Sequence, residues 1–181
     1  MGAVGWRGLH LLASQIPGAQ VARVERMVTL PGGGTAQVRS ADDPQSLRGE
    51  GLDLAVLDEC AYIRQAAWFE ALRPTLSDRK GGALFISTPH GINWFRDLWL
   101  RGQDDAFPAW QSWTFKTSDN PYIDKAEIED ARRTLLSRIF RQEYEADFLE
   151  DNPGALWKRE WIDAGRVLKS PDQISVFSVS R

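Results

Sequence analysis

Apolar positions recur every three to four residues at the start of the chain: Trp6, Leu9, Leu12, Ala13 and Ile16 predict a helix that Pro17-Gly18 ends. The period then changes to two. Gln20 to Leu30 and Thr35 to Ser40 alternate like strands on either side of Pro31-Gly32-Gly33-Gly34. That glycine run reads as a turn between antiparallel strands. The other use of such a run is a phosphate cradle, which would be followed by Gly-Lys-Ser/Thr, and none follows here. Leu54-Ala55-Val56-Leu57 does not alternate at all and runs straight into Asp58 and Glu59. An unbroken apolar run suits a strand buried on both faces of a parallel sheet. The two carboxylates, too costly to bury, belong just past its C-terminal end.

Helical spacing returns with Trp68, Phe69, Leu72 and Leu76, and Pro74 should kink or end that helix. Ala83 to Ile86 predicts a second buried strand, ending in Ser87-Thr88-Pro89. Strand, helix and strand in this span fit a right-handed parallel crossover, which would set Asp58 and Glu59 beside Ser87 and Thr88 at one sheet edge. Ligands bind at that edge in open α/β sheets. Further on, Ile92, Phe95, Leu98 and Trp99 mark a helix over 91–101, and 110–115 alternates like a strand. Asp124 stands as an N-cap with Glu127 as its capping-box partner, ahead of one long helix over 125–149. Its apolar stripe is Ile128, Ala131, Leu135, Ile139 and Tyr144. Asp151-Asn152-Pro153-Gly154 breaks the chain and marks a domain boundary.

Composition changes this picture little. At 181 residues, 43% hydrophobic and 26% charged, the chain has the makeup of a globular protein of one domain or one domain plus a fragment. A net charge of −3 gives no global reason to expect a membrane or nucleic acid. Its one cysteine, Cys60, excludes a disulfide framework and suits a reducing, cytoplasmic compartment. No apolar run approaches the ~18 residues of a membrane span. Arg132, Arg133, Arg138 and Arg141 could meet DNA phosphates, but interleaved Glu127, Glu129, Asp130, Glu143 and Glu145 favour a solvated, salt-bridged face.

The acidic pair carries the chemistry. In phosphoryl transfer one carboxylate holds water on a Mg²⁺ that bridges two phosphates, and a second orients or deprotonates the attacking water. Ser87 and Thr88 would hydrogen-bond the γ-phosphate or that water. The plainer alternative is that Asp58 and Glu59 cap the next helix. The polar stretch from Ser40 to Gly51 is either a solvated loop or a site rim carrying Arg48, a residue that could equally pair with Asp42 or Asp43.

A series of blocks makes a resemblance. Leu47-Arg48-Gly49-Glu50-Gly51-Leu52-Asp53, the strand ending in Asp58-Glu59, and Leu72-Arg73-Pro74-Thr75-Leu76-Ser77-Asp78-Arg79 come first. Ile86-Ser87-Thr88-Pro89-His90-Gly91, Thr117-Ser118-Asp119-Asn120-Pro121 and Gln142-Glu143-Tyr144-Glu145-Ala146-Asp147-Phe148 follow. In this order, over nearly the whole chain, they resemble the large terminase subunit of tailed bacteriophages and prophages. The resemblance implies a motor that uses ATP to move viral DNA into a procapsid. It implies an α/β fold of the P-loop NTPase type with an additional catalytic glutamate, its mainly parallel sheet flanked by helices, followed by an RNase-H-like nuclease domain. It makes Asp58 the Walker B residue that holds Mg²⁺ through water, and Glu59 the catalytic glutamate. Ser87 and Thr88 become nucleotide contacts in the motif, completed by Pro89, that couples hydrolysis to movement. Arg48 matches a trans-acting arginine finger. ATP and Mg²⁺ are the implied cofactors. Double-stranded DNA, the portal protein, the small terminase subunit and further copies in a ring are the implied partners, in the host cytoplasm and away from membranes.

Two family features do not occur in these residues. There is no Gly-x-x-x-x-Gly-Lys-Ser/Thr, and no acid follows Ile174 to Val179, where a nuclease strand would lead into its aspartates. Residues 1–152 therefore read as the C-terminal part of a terminase ATPase domain, incomplete at its N-terminal side. Residues 153–181 read as a linker and the truncated start of the nuclease domain. Four or five phosphate bonds of ~1.5–3 kcal/mol each would be lost without the Walker A loop. Micromolar ATP affinity amounts to only about 8 kcal/mol, so the chain alone is expected to be inactive. Two other readings fit the acidic pair: a fragment of a helicase-type ATPase core, and a non-catalytic prophage remnant that binds DNA or portal.

Overall fold

The structure is a computed structural model that describes residues 2–149. The boundary expected near residue 152 and everything expected beyond it lie outside the described residues. The chain forms two compact units, Met1–Ser87 and Thr88–Arg181.

In the first unit, helix α1 (Gly2–Ala13) leads to a three-stranded antiparallel sheet of β1 (Gln20–Ala22), β2 (Met27–Thr29) and β3 (Thr35–Gln37), in that order. The single strand expected over 20–30 is two strands folded at Arg23–Arg26, where Arg26 adopts a left-handed φ of 49°. The glycine run is the turn expected of it: Gly33 sits at φ 85°, and the Leu30 N–H bonds the Gly34 carbonyl at 2.7 Å. Val28, opposite Val21 and Ala36, is the buried centre of this sheet.

The second sheet is the parallel pair of β4 (Leu54–Asp58) and β5 (Gly82–Ile86), with Asp58 in register with Ile86. Between them the chain makes a 3₁₀ turn (Cys60–Tyr62), a π-helical stretch (Ala67–Leu72) and α2 (Arg73–Thr75). Pro74 explains the π winding. It has no N–H, and its ring crowds the carbonyl four residues back, so the preceding turn opens and the Arg73 N–H reaches the Trp68 carbonyl. The extra residue shifts the inward face: Ala67, Trp68, Ala71 and Leu76 are buried, whereas Phe69 is exposed, contrary to its expected place on that face. Trp68 meets the Phe85 ring edge-on at 4.6 Å.

Burial of β4 on both faces is not found. Ala55 and Leu57 face the crossover helix, but Leu54 and Val56 are 62% and 55% exposed, and Leu84 and Ile86 on β5 are 44% and 47% exposed. Among the described residues a helical layer covers one face of the pair only.

In the second unit, Asn93 caps α3 (Trp94–Arg101) by accepting from the Phe95 and Arg96 N–H groups. The strand expected over 110–115 has no ladder partner among the described residues. Side chains hold that extended segment instead: Ser112 Oγ donates to the Trp99 carbonyl at 2.7 Å, and Trp99 Nε1 donates to Thr114 Oγ1 at 3.2 Å. The long helix expected over 125–149 is two helices, α4 (Lys125–Thr134) and α5 (Ser137–Glu145), parted by Leu135 and Leu136 in extended conformation. The break lets Phe140 fold back on Ile128 and Ala131, so Phe140 replaces Ile139 in the apolar stripe. Asp124 caps α4 by accepting from the Ala126 N–H. The expected salt-bridged arginine face is found at two of its four arginines. Arg132 pairs with Glu129 and Glu145 and lies 4.4 Å over the Phe140 ring, and Arg141 pairs with Asp147. No helix of the described residues is long and apolar enough to cross a membrane.

Candidate active site

Asp58 and Glu59 stand where β4 ends, as the sequence indicates, but the backbone treats them differently. Asp58 is still a strand residue; two-residue alternation puts it on the bare face with Leu54 and Val56, and its carboxylate is exposed. Its Oδ1 accepts from the Glu59 N–H at 3.1 Å. Glu59 leaves the strand with φ 54° and ψ 41°, the left-handed region. A residue with a Cβ pays roughly 1–2 kcal/mol to be there. The other non-glycine residues at positive φ lie in the β1–β2 turn (Arg26), in a loop (Lys80) and at the end of α5 (Ala146). Glu59 is the one at the C-terminal end of a strand of the parallel pair, directly after a second carboxylate.

Ser87 joins this pair. The register sets it one step beyond Ile86, the partner of Asp58, and the Ala61 N–H donates to Ser87 Oγ at 3.1 Å. The loop leaving β4 is thereby tied to the exit of β5. Sequence pattern alone does not disclose this bond or the Glu59 conformation, since no glycine or asparagine marks the turn. Thr88 follows directly, half-buried, and opens the second unit.

Arg48 ends a 3₁₀ turn (Pro44–Leu47) whose Leu47 is buried against Ala67 and Ala71. Its own side chain is exposed and has no ion-pair partner among the described residues. The two aspartates near it in sequence are otherwise engaged: Asp42 accepts from Ser40 Oγ, and Asp43 caps the turn by accepting from the Gln45 N–H. The structure does not bring Arg48 into contact with Asp58 or Glu59.

The surrounding frame is tight. A Cβ on Gly81 would lie 2.3 Å from the Leu52 carbonyl oxygen and 2.8 Å from that of Asp53, so only glycine fits where the crossover returns to the start of β4. Arg79 pairs with Asp53 at 3.0 Å at the same corner. Cys60, next to Glu59, is fully buried, and burial pushes its thiol up to about 12. It is therefore a packing residue and not a nucleophile.

A single exposed carboxylate fits a water-mediated Mg²⁺ contact, because Mg²⁺ in phosphoryl-transfer sites keeps its waters and takes one or two carboxylates alongside the substrate phosphates. It does not fit a metal site built from protein alone, and no cluster of three or more such ligands occurs among the described residues.

Comparison with known proteins gives a consistent picture. The family model described as "Terminase large subunit, T4likevirus-type, N-terminal" matches residues 13–164. The large terminase subunit of Escherichia phage T5 is 39% identical over 150 residues, covering 80% of this chain and 34% of the relative. That of Thermus phage G20c is 37% identical over 148 residues, covering 71% and 30%. The chain thus spans about a third of the length of these relatives. The solved ATPase domain of the Thermus phage P74-26 large terminase superposes with a TM-score of 0.59 at 30% identity, covering 79% of this chain and 67% of that one.

Proposed function

The chain belongs to the family of large terminase subunits, and on that premise we propose that it supplies the acidic half of the ATPase site of a viral DNA-packaging motor. The observation that carries this reading is the turn at the end of β4. Glu59 is held in a strained conformation beside Asp58, and the same turn is bonded to Ser87 at the end of the neighbouring parallel strand. Strain of this kind collects at sites where a side chain must be aimed.

ATP with Mg²⁺ would supply the transferable γ-phosphoryl group and the charge that the site must neutralise. Asp58, exposed at the strand end, would hold a water of the cation's shell. Glu59 would orient the attacking water and take its proton, a role worth roughly 10²–10⁴ in rate. Ser87 would couple the two strand ends: a shift of the Glu59 turn pulls on the Ala61–Ser87 bond and reaches Thr88 along the chain. Arg48, exposed and unengaged by Asp42 or Asp43, would reach the nucleotide of a neighbouring subunit, which implies a ring. In the intact protein the partners would be double-stranded DNA, a portal and a small terminase subunit. Membership of the terminase family removes the reason to read the acidic pair as a helicase core.

The phosphate-cradling Gly-Lys-Ser/Thr sequence does not occur in these 181 residues, so the chain by itself should show no saturable Mg·ATP hydrolysis. Saturable hydrolysis by the purified chain, lost in Glu59→Gln, would overturn this division of the site.

A further inference from the structure

The segment that carries Arg48 is fixed to the crossover between β4 and β5 on both sides of that residue. Before it, Leu47 is buried against Ala67 and Ala71 of the π-helical stretch. After it, the Leu52 N–H donates to the Thr75 carbonyl at 2.9 Å, and the buried Thr75 donates its hydroxyl to the Leu72 carbonyl at 2.7 Å. The Arg48 N–H donates to the Gln45 carbonyl at 3.2 Å, so Arg48 continues the 3₁₀ turn that Leu47 anchors. The position of Arg48 therefore follows the crossover.

The same cluster is reached from Glu59. The Tyr62 N–H donates to the Glu59 carbonyl at 3.0 Å and the Ile63 N–H to the Cys60 carbonyl at 3.1 Å, so the 3₁₀ turn that leaves Glu59 ends on Ile63. Ile63 packs against Leu47, Ala67 and Ala71. Glu59 and Arg48 do not touch, yet the turn of one and the anchor of the other meet in a single apolar cluster. Close-packed groups pass a displacement on instead of absorbing it. The π winding adds to this, because one residue more or less in that turn changes which side chains face Leu47.

We propose that Leu47 is a positioning residue for Arg48: through Ile63 and the π-helical stretch it makes the reach of Arg48 depend on the Glu59 turn of the same subunit. The proposal rests on the reading of Arg48 as a residue that serves a neighbour's site. A subunit would then present or withdraw Arg48 according to its own turn. The plainer use of Leu47 is core packing, in which case its loss would weaken the fold as a whole and not the reach of Arg48 in particular.

The test uses intact subunits in mixtures. Glu59→Gln subunits, whose own sites are silent, should restore part of the turnover of Arg48→Ala subunits by lending them Arg48. Adding Leu47→Ala to the Glu59→Gln donor should lower that restoration about tenfold or more, as a small misplacement of such a group does, with the donor's own ATP affinity within about threefold. Leu47→Met, which conserves volume, should bring the restoration back. Pro74 is exposed, so Pro74→Ala removes the cause of the π winding without cutting into the cluster. It should lower the restoration too, and in the 181-residue chain it should shift the backbone amide NMR signals of Arg48 and Gly49. Equal restoration by donors with and without Leu47→Ala, or Arg48 and Gly49 signals that stay in place in Pro74→Ala, overturns the proposal and leaves the reading of Arg48 standing. A parallel fall in the donor's ATP affinity also overturns it, since Leu47 would then serve packing alone. Absence of restoration by the plain Glu59→Gln donor overturns the reading of Arg48, and the proposal with it.

Discussion

At the scale of single residues the account turns on Glu59. Its left-handed backbone (φ 54°, ψ 41°) costs stability that glycine would not pay. Glu59→Gly should therefore raise stability by roughly 0.5–1 kcal/mol in urea denaturation while removing the carboxylate, whereas Glu59→Gln should stay within about 0.5 kcal/mol of the parent. A Glu59→Gly variant less stable than the parent would show that the turn is not strained. Its neighbour Cys60 gives a pH test. Its thiol is pushed up to about 12 by burial, so the folded state keeps a proton that the unfolded chain releases from about pH 9. That contribution is complete below pH 9 and fades as pH rises toward 12. Native protein at pH 8 should thus resist iodoacetamide, and labelling at the unfolding rate or slower is the expected result. The adjacency of Asp58 and Glu59 after an apolar run was legible in the sequence. The left-handed turn was not, because glutamate carries no preference that marks it.

At the scale of elements the β4–crossover–β5 unit follows from its apolar runs, and Pro74 announces a disturbance that takes the form of a π-helical stretch. Gly81 is where this unit is least tolerant. Gly81→Ala drives a methyl to 2.3 Å from the Leu52 carbonyl, and the backbone shift it forces should cost at least about 2 kcal/mol. The exposed Arg79–Asp53 pair at the same corner should be nearly silent, with Arg79→Met costing under about 1 kcal/mol. A mild Gly81→Ala would mean that β4 and the return of the crossover are not packed this closely. Two elements were misread for one reason. The pattern over 125–149 supports a continuous helix, and only the gain from burying Phe140 against Ile128 and Ala131 makes a hairpin of it. The alternation over 110–115 supports a strand, but a strand exists only with a partner, and Trp99, Gln103 and Ser112 supply side-chain bonds in its place. Tertiary competition of this kind leaves no local mark.

At the scale of the molecule, the chain matches about a third of the length of the large terminase subunits it resembles. Leu54, Val56, Leu84 and Ile86 make one apolar face that the described residues leave open, and parallel strands are ordinarily covered on both faces. If that face is open in solution, Val56→Thr should change stability by less than about 0.5 kcal/mol and reduce the binding of a hydrophobic dye. A loss above 2 kcal/mol would show that the face is covered. For the intact subunit, Arg48→Ala should slow ATP turnover by roughly 10³ or more, and mixing it with Glu59→Gln subunits should restore part of the rate if Arg48 serves a neighbour's site. The measurement that bears most directly on the central claim is ATP affinity and steady-state turnover, side by side, for the intact terminase subunit carrying Glu59→Gln. Affinity within about threefold of the parent with turnover reduced at least ~10²-fold is the result expected of a residue that acts on the attacking water. Unchanged turnover would contradict it.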